Sequence, residues 1–267
     1  VIDDSTFKNS EAKQGGAIYV DGTNTCISHS NFTDISADNY GGSIYVAGSN
    51  ANISESNFVR SKVKNFNGGA IYIAGENTNI EKSNFTSTEA LNSRNKALGG
   101  AIYIEGPDAV IKESDFDECK ASEGGGAIYA YGNNARIEDS TFDSNTAKFG
   151  GSIYLTSWGA VVTGSNITGS IASENGGGIY VAEGSILITE SNFEDCTAKG
   201  TSATKGGGAI YINGPDTHIS ASNFTNNKAP SGTARGGSIF VNGERTIIDS
   251  SLFENGSAHQ GGEIYIE

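Results

Sequence analysis

The chain of 267 residues has no methionine, one tryptophan, three prolines, three cysteines and three histidines. Each scarcity excludes something. So little proline beside 37 glycines rules out a Pro/Gly linker or a collagen. Cys26, Cys119 and Cys196 are an odd number at scattered positions with no CxxC pair. They make neither a disulfide framework nor a zinc site, and read as small buried hydrophobes. His29, His218 and His259 share no common place in the repeat described below, so a histidine-based metal centre or nucleophile triad has no support. No apolar run approaches the ~20 residues of a membrane span, so this segment is not expected to insert in a membrane. No signal peptide is read at its start, which fits a piece cut from a longer exported chain. A basic face is missing as well. The formal net charge is −14, which argues against a nucleic-acid partner and for a solvated surface protein.

Repetition is what the chain has in abundance, and fixed-period self-similarity precedes any other reading. A GG-x-I-Y motif places isoleucine at 18, 44, 71, 102, 128, 153, 179, 210, 239 and 264, with successive copies 25 to 31 residues apart. A second apolar anchor follows nine residues later (Ile27, Ile53, Ile80 and onward) and a third fourteen later (Phe32, Phe58, Phe85 and onward), without one exception in spacing. Serine sits two residues before each third anchor, from Ser5 to Ser251. Alanine stands five after it everywhere but at Val63. All length variation therefore falls between that alanine and the next glycine pair, in segments of two to eight residues such as "LNSRNKAL" and "KGTSATKG".

Each unit carries three short apolar segments separated by glycine or Asn/Asp/Ser clusters, the pattern of strands bounded by turns. No segment keeps a 3.6-residue period long enough for a helix. The expected fold is all-β: a parallel β-helix with three short strands per coil and about ten coils, one domain over residues 1–267. Stacking like residues ~4.8 Å apart explains the locked spacings, since a length change inside the core path would turn apolar side chains outward. An insertion at a turn adds only slowly growing loop entropy. Glycine four residues after the first anchor (Gly22, Gly48, Gly75, Gly106, Gly132, Gly214, Gly243) fits a turn requiring positive φ. A propeller would need four strands and more residues per blade, and a leucine-rich solenoid more leucine. Both ends cut through the repeat without a polar cap, as expected of a fragment of a longer array. Open ends that stack on other copies would instead build a filament.

The combination of GG[AS]IY with S-[ND]-F at this spacing resembles the adhesin-like surface proteins of methanogenic archaea and, in repeat pattern, the polymorphic outer-membrane proteins of chlamydiae with their GGAI and FxxN repeats. The FxxN half is kept only at Phe142 with Asn145 and Phe224 with Asn227; elsewhere Ser61, Thr88, Cys119 or Ser170 ends it, which favours the archaeal group. The resemblance implies an extracellular, right-handed β-helix used for attachment, and transfers no catalytic residue.

β-Helical polysaccharide enzymes place acids or bases on an exposed strand face. Here the outward residues of the first strand are alanine, serine and tyrosine. Glu113 with Asp115, and Glu138 with Asp139, lie on other faces, where acids alternate with lysine between coils (Glu55, Lys82, Glu113; Glu81, Lys112, Glu138) and read as cross-coil pairs. The chain is read as a non-enzyme with no cofactor and no metal. Two surfaces remain. One is an aromatic ladder: Tyr19, Tyr45, Tyr72, Tyr103, Tyr129, Tyr154, Tyr180, Tyr211, Phe240 and Tyr265. It is either a stacking strip for sugars or a protein partner, or a device that stiffens the sheet. The other is the variable corner, whose 41 residues hold eight of the 17 Lys/Arg and only three acids, Asp38, Glu123 and Glu174. Its candidate binding residues are Tyr40, Lys64, Phe66, Arg94, Lys96, Phe149, Lys199, Lys205 and Arg235, which fit an acidic glycan or an anionic wall polymer. Sequons at Asn31, Asn52, Asn84, Asn166, Asn223 and Asn255 fit an exported glycoprotein. The partners expected are cell-surface glycans or proteins, or further copies of the chain itself, end to end or side by side.

Overall fold

The computed structural model describes residues 1–92 and 96–267. Among them are forty short strands and no helix. The strands form four parallel sheets of ten, each running through successive coils in order. A single coil shows the plan. Ile71–Ile73 lies in a tyrosine wall, Asn79–Glu81 in an isoleucine wall, Asn84–Thr86 in a phenylalanine wall and Glu89–Ala90 in an alanine wall. The ten coils are as the repeat predicts, but each has four strands rather than three. The fourth strand is commonly two residues long, and its inward residue is the alanine (or Val63) that closes the length-locked part of the unit.

Register is strict. Ile71 pairs with Ile44 and Ile102, Ile80 with Ile53 and Ile111, and Phe85 with Phe58 and Phe116. The inward side chains thus stack like on like and, apart from the partly buried ones of the first and last coils, are almost fully excluded from water, each large one contributing roughly 1.5–3 kcal/mol of burial.

The corners carry the turning. In the coil of Ile71 the three corners after the tyrosine wall each hold one residue at positive φ: Asn77 at 53°, Lys82 at 49° and Ser87 at 52°. The fourth corner uses the first glycine of each pair, and Gly68 (φ 72°) shows why: a Cβ there would overlap the carbonyl oxygen of Ile71. The glycines four residues after the first anchor have a different job from the one the sequence predicts. They are not at positive φ. A Cβ on Gly75 would strike the carbonyl of Gly48 in the coil below, so glycine is needed there for close approach.

The serine that precedes each third anchor forms an internal ladder. Ser83 N donates to Ser114 Oγ at 3.1 Å, and Ser114 Oγ donates to the carbonyl of Lys112 at 2.9 Å. The same pair of bonds recurs from coil to coil. Buried polar groups need partners, and the serines satisfy one another. Where the FxxN pattern survives, Asn145 does the equivalent: its Oδ1 accepts from Cys119 N at 2.9 Å and its Nδ2 donates to Phe116 O at 3.1 Å.

Candidate functional site on the tyrosine wall

The aromatic ladder lies on the outer face of the tyrosine wall, stacked at centroid distances from 4.7 to 5.2 Å. It is not a bare strip. Tyr19 is half exposed, but Tyr72, Tyr211 and Phe240 are buried and the others are partly covered. What covers them is the variable corner. Tyr40 stands edge-on to Tyr72 at 4.9 Å and stacks on Phe66 at 5.1 Å. Phe149 leans on Tyr180 at 5.3 Å and on Tyr154 at 6.4 Å. Tyr211 donates from its hydroxyl to the carbonyl of Thr204 at 3.3 Å. Arg235 lies over the Tyr265 ring at 4.5 Å and donates to its hydroxyl at 2.7 Å. The two surfaces read separately from sequence are therefore one face. Arg94 lies outside the described residues.

Four of the corner's seven described cations, Lys64, Lys96, Lys148 and Lys205, have carboxylate partners. Lys64 contacts Glu11 and, at 3.2 Å, Asp38. Glu123 receives Lys96 at 3.6 Å and Lys148 at 3.3 Å, and Glu174 receives Lys205 at 2.9 Å. Lys148 and Lys205 also sit over the Phe149 ring, at 4.8 and 5.5 Å. Lys199 is exposed and has no ion-pair partner among the described residues. The corner is thus of mixed charge, less positive than a count of its lysines and arginines indicates. Below Phe149 a hollow of about 210 Å³ is lined by Lys96, Leu98, Glu123, Tyr129, Phe149 and Tyr154.

Burial moves the ladder hydroxyls away from ionisation. It pushes Tyr211 up to about 12, and raises Tyr45, Tyr72, Tyr103, Tyr129, Tyr154 and Tyr180 as well, with the Glu105 carboxylate beside Tyr72 adding to the effect. Tyr72 and Tyr211 use their protonated hydroxyls as hydrogen-bond donors, to Glu105 and to the Thr204 carbonyl. No group of three or more His, Cys, Asp or Glu that would hold a metal occurs among the described residues. No helix of the described residues is long and apolar enough to cross a membrane.

The sequon asparagines Asn31, Asn84, Asn166 and Asn223 share one outward register position on the phenylalanine wall, while Asn52 lies on the isoleucine wall and Asn255 at a corner with φ 60°. Several belong to amide ladders: Asn84 Nδ2 donates to Asn57 Oδ1 and Asn57 Nδ2 to Asn31 Oδ1, both at 2.9 Å. Two of the predicted cross-coil charge pairs form, Lys112 to Glu81 at 2.9 Å and Lys82 to Glu113 at 3.9 Å, whereas Glu55 faces His29 at 3.2 Å and Glu138 takes Arg136 of its own strand at 2.6 Å. Two exposed aromatic residues escaped the reading by repeat, Tyr131 and Trp158. The signal that would have found Trp158 is a broken rule: its coil has Ser157 where seven others have glycine.

A hollow of about 580 Å³ lies over the final coil against Ile248, Phe253, Ile264 and Ile266. Comparison with known proteins found no match among curated proteins and none among solved structures. A family model described as a right-handed beta helix region matches residues 1–167 and 54–214. Together these matches cover well over half the chain, and with ten stacked parallel coils they show that the chain belongs to the right-handed beta helix family.

Proposed function

We propose that the chain is a non-enzymatic segment of an extracellular, cell-surface protein, an adhesin or stalk, whose rigid β-helix presents a binding face for glycans or partner surfaces of another cell or the same envelope. One observation carries the reading. The only part of the repeat that varies in length folds its aromatic residues, Tyr40 and Phe149, onto the tyrosine ladder, so adaptable loops and an unvarying strip make one surface. Variable loops on a rigid scaffold are where binding concentrates, and stacked rings suit the apolar faces of sugars. Because Lys64, Lys96, Lys148 and Lys205 all have carboxylates beside them, stacking rather than counter-charge is the main attraction of this face. The repeat pattern, similar to that of the archaeal adhesin-like proteins, supports the surface location.

A glycan array probed with the isolated chain tests the reading. Binding should fall at least about tenfold in a Tyr40→Ala/Phe149→Ala double variant, the loss of a little over one kcal/mol of contact. Charge reversal at Lys96 and Lys205 should weaken it less. Binding untouched by the aromatic double variant sinks the proposal. Concentration-dependent end-to-end growth in sedimentation would instead favour a filament subunit.

A further inference from the structure

Across the tyrosine wall from the variable corner, the turn leading to the isoleucine wall departs from its own rule in two adjacent coils. Ser157 and Glu183 replace the glycine found at that place in seven others. The left-handed position two residues on, held by Asn77 or Asn134 in other coils, is Gly159 here (φ 74°), and in the next coil it moves one residue earlier, to Gly184 (φ 88°). The reshaped turn holds up Trp158, the chain's single tryptophan, at 51% exposure, and one coil below it Tyr131 is 58% exposed. Between them runs a groove of about 400 Å³, lined also by Glu105, Asn133, Thr156 and Glu183.

Its polar groups are held in place. Asn133 Oδ1 accepts the backbone N–H of Trp158 at 3.1 Å, and the Trp158 carbonyl accepts from Asn134 N at 2.8 Å, which fixes the turn. With its oxygen so engaged, the Asn133 amide nitrogen remains a donor to the groove. Glu105 Oε2 accepts from the Tyr72 hydroxyl at 2.7 Å, which sets that carboxylate while its other oxygen keeps acceptor capacity. Among the described residues, no lysine or arginine lines the groove.

We infer that this groove is a binding site for a neutral pyranose sugar, separate from the tyrosine-wall face. The indole and phenol rings offer flat apolar faces for the C–H face of the ring. Glu105 and Glu183 accept from sugar hydroxyls, charge-assisted and therefore the stronger of such bonds, and the Asn133 amide donates. Two carboxylates with no cation repel uronic acids and sulfated sugars. An ammonium ligand fits less well. Both glutamates are exposed, exposed ion pairs contribute little and are screened by salt, and the two rings form an open trough rather than an enclosing cage.

The single tryptophan makes the site its own reporter. Titration of the chain with methyl glucopyranoside and with neutral cello-, xylo- and manno-oligosaccharides, followed by tryptophan emission, should give a saturable shift to shorter wavelength and protection from acrylamide quenching. In affinity electrophoresis through the matching polysaccharide, Trp158→Ala should weaken retardation at least about tenfold, Trp158→Phe should restore part of it, and Glu183→Gln should weaken it severalfold. Absence of a saturable shift with every neutral sugar overturns the inference. So does a shift given only by tetramethylammonium or only by galacturonate oligomers. The Tyr40→Ala/Phe149→Ala variant should titrate as the parent does, so failure here leaves the tyrosine-wall reading standing, and failure there leaves this one.

Discussion

The molecule contains two aromatic ladders of nearly equal pitch and unlike character. Inside, Phe32 on Phe58 is spaced 4.7 Å with planes 3° apart, and Phe85 on Phe116 is 4.8 Å and 3°. Outside, Tyr129 on Tyr154 is 4.9 Å but tilted 24°, Tyr154 on Tyr180 is 4.8 Å and 27°, and Phe240 on Tyr265 is 5.2 Å and 39°. The pitch is common because parallel strands impose it on any side chain they carry. The tilt differs because the phenylalanines are walled in on every side, whereas each tyrosine has one face that another part of the chain can press. The largest tilts occur where something does: Phe149 against Tyr154 and Tyr180, Arg235 against Tyr265. Other steps stay flat, as between Tyr103 and Tyr129 at 2° and, even beneath Tyr40, between Tyr45 and Tyr72 at 6°. The repeat dictates spacing; individuality, and with it any capacity to bind, enters where a corner disturbs the stack.

Breaking the inner ladder should therefore cost most. Phe85→Ala removes a fully buried ring between two others and should lower stability by about 3–5 kcal/mol, measured as a fall in denaturant midpoint at constant slope. Tyr103→Ala, its partly covered counterpart outside, should cost about 1–2 kcal/mol. Equal losses would mean that the outer ladder is as structural as the inner one. Ser114→Ala tests the polar ladder: Ser83 N loses its acceptor inside the core, at about 1–3 kcal/mol. A thiol test separates inside from outside without any mutation. Burial pushes Cys119 and Cys196 up to about 12, so iodoacetamide on the native chain should modify only the half-buried Cys26, one alkyl group by mass against three after denaturation.

Much of this was legible in the sequence, for a physical reason. A stack demands the same residue at the same step, so Ile80, Phe85 and Ser83 reveal register without any structure. The fourth strand was not legible. Lys62–Val63 and Glu89–Ala90 have one inward residue each, too few to display alternation. Glycine's two roles were also indistinct: Gly68 for positive φ and Gly75 for close approach look alike until the neighbouring carbonyl is located. The meeting of Tyr40 and Phe149 with the ladder depends on how insertions fold back, which no repeat encodes. Trp158 was missed because a search for what recurs passes over what occurs once.

The smallest expected effect belongs to the exposed charge pairs at the corners, and it sharpens the contrast with the buried stacks. His29 lies 2.9 Å from Asp3 through Nδ1 and 3.2 Å from Glu55 through Nε2. The hydrogen bond to Asp3 and the Glu55 charge raise the histidine above its ordinary value. A group raised on folding stabilises fully below its unfolded value, about 6.5, and that contribution is lost as pH climbs through the higher folded value. Asp34 runs the other way. The Arg60 guanidinium bonded to it holds its carboxyl below the usual range, so its contribution is present above about 4 and lost as pH falls through the lower folded value. Both pairs are solvent-exposed, where such interactions are weak and screened. The thermal midpoint should therefore rise only slightly on going from about pH 8 to about pH 5.5. His29→Gln should remove its share of that rise, and high salt should flatten it. The deficit of Phe85→Ala should change with neither pH nor salt, because no charge reaches the inner stack; a deficit that tracked pH would show that the two ladders are electrostatically coupled through the wall.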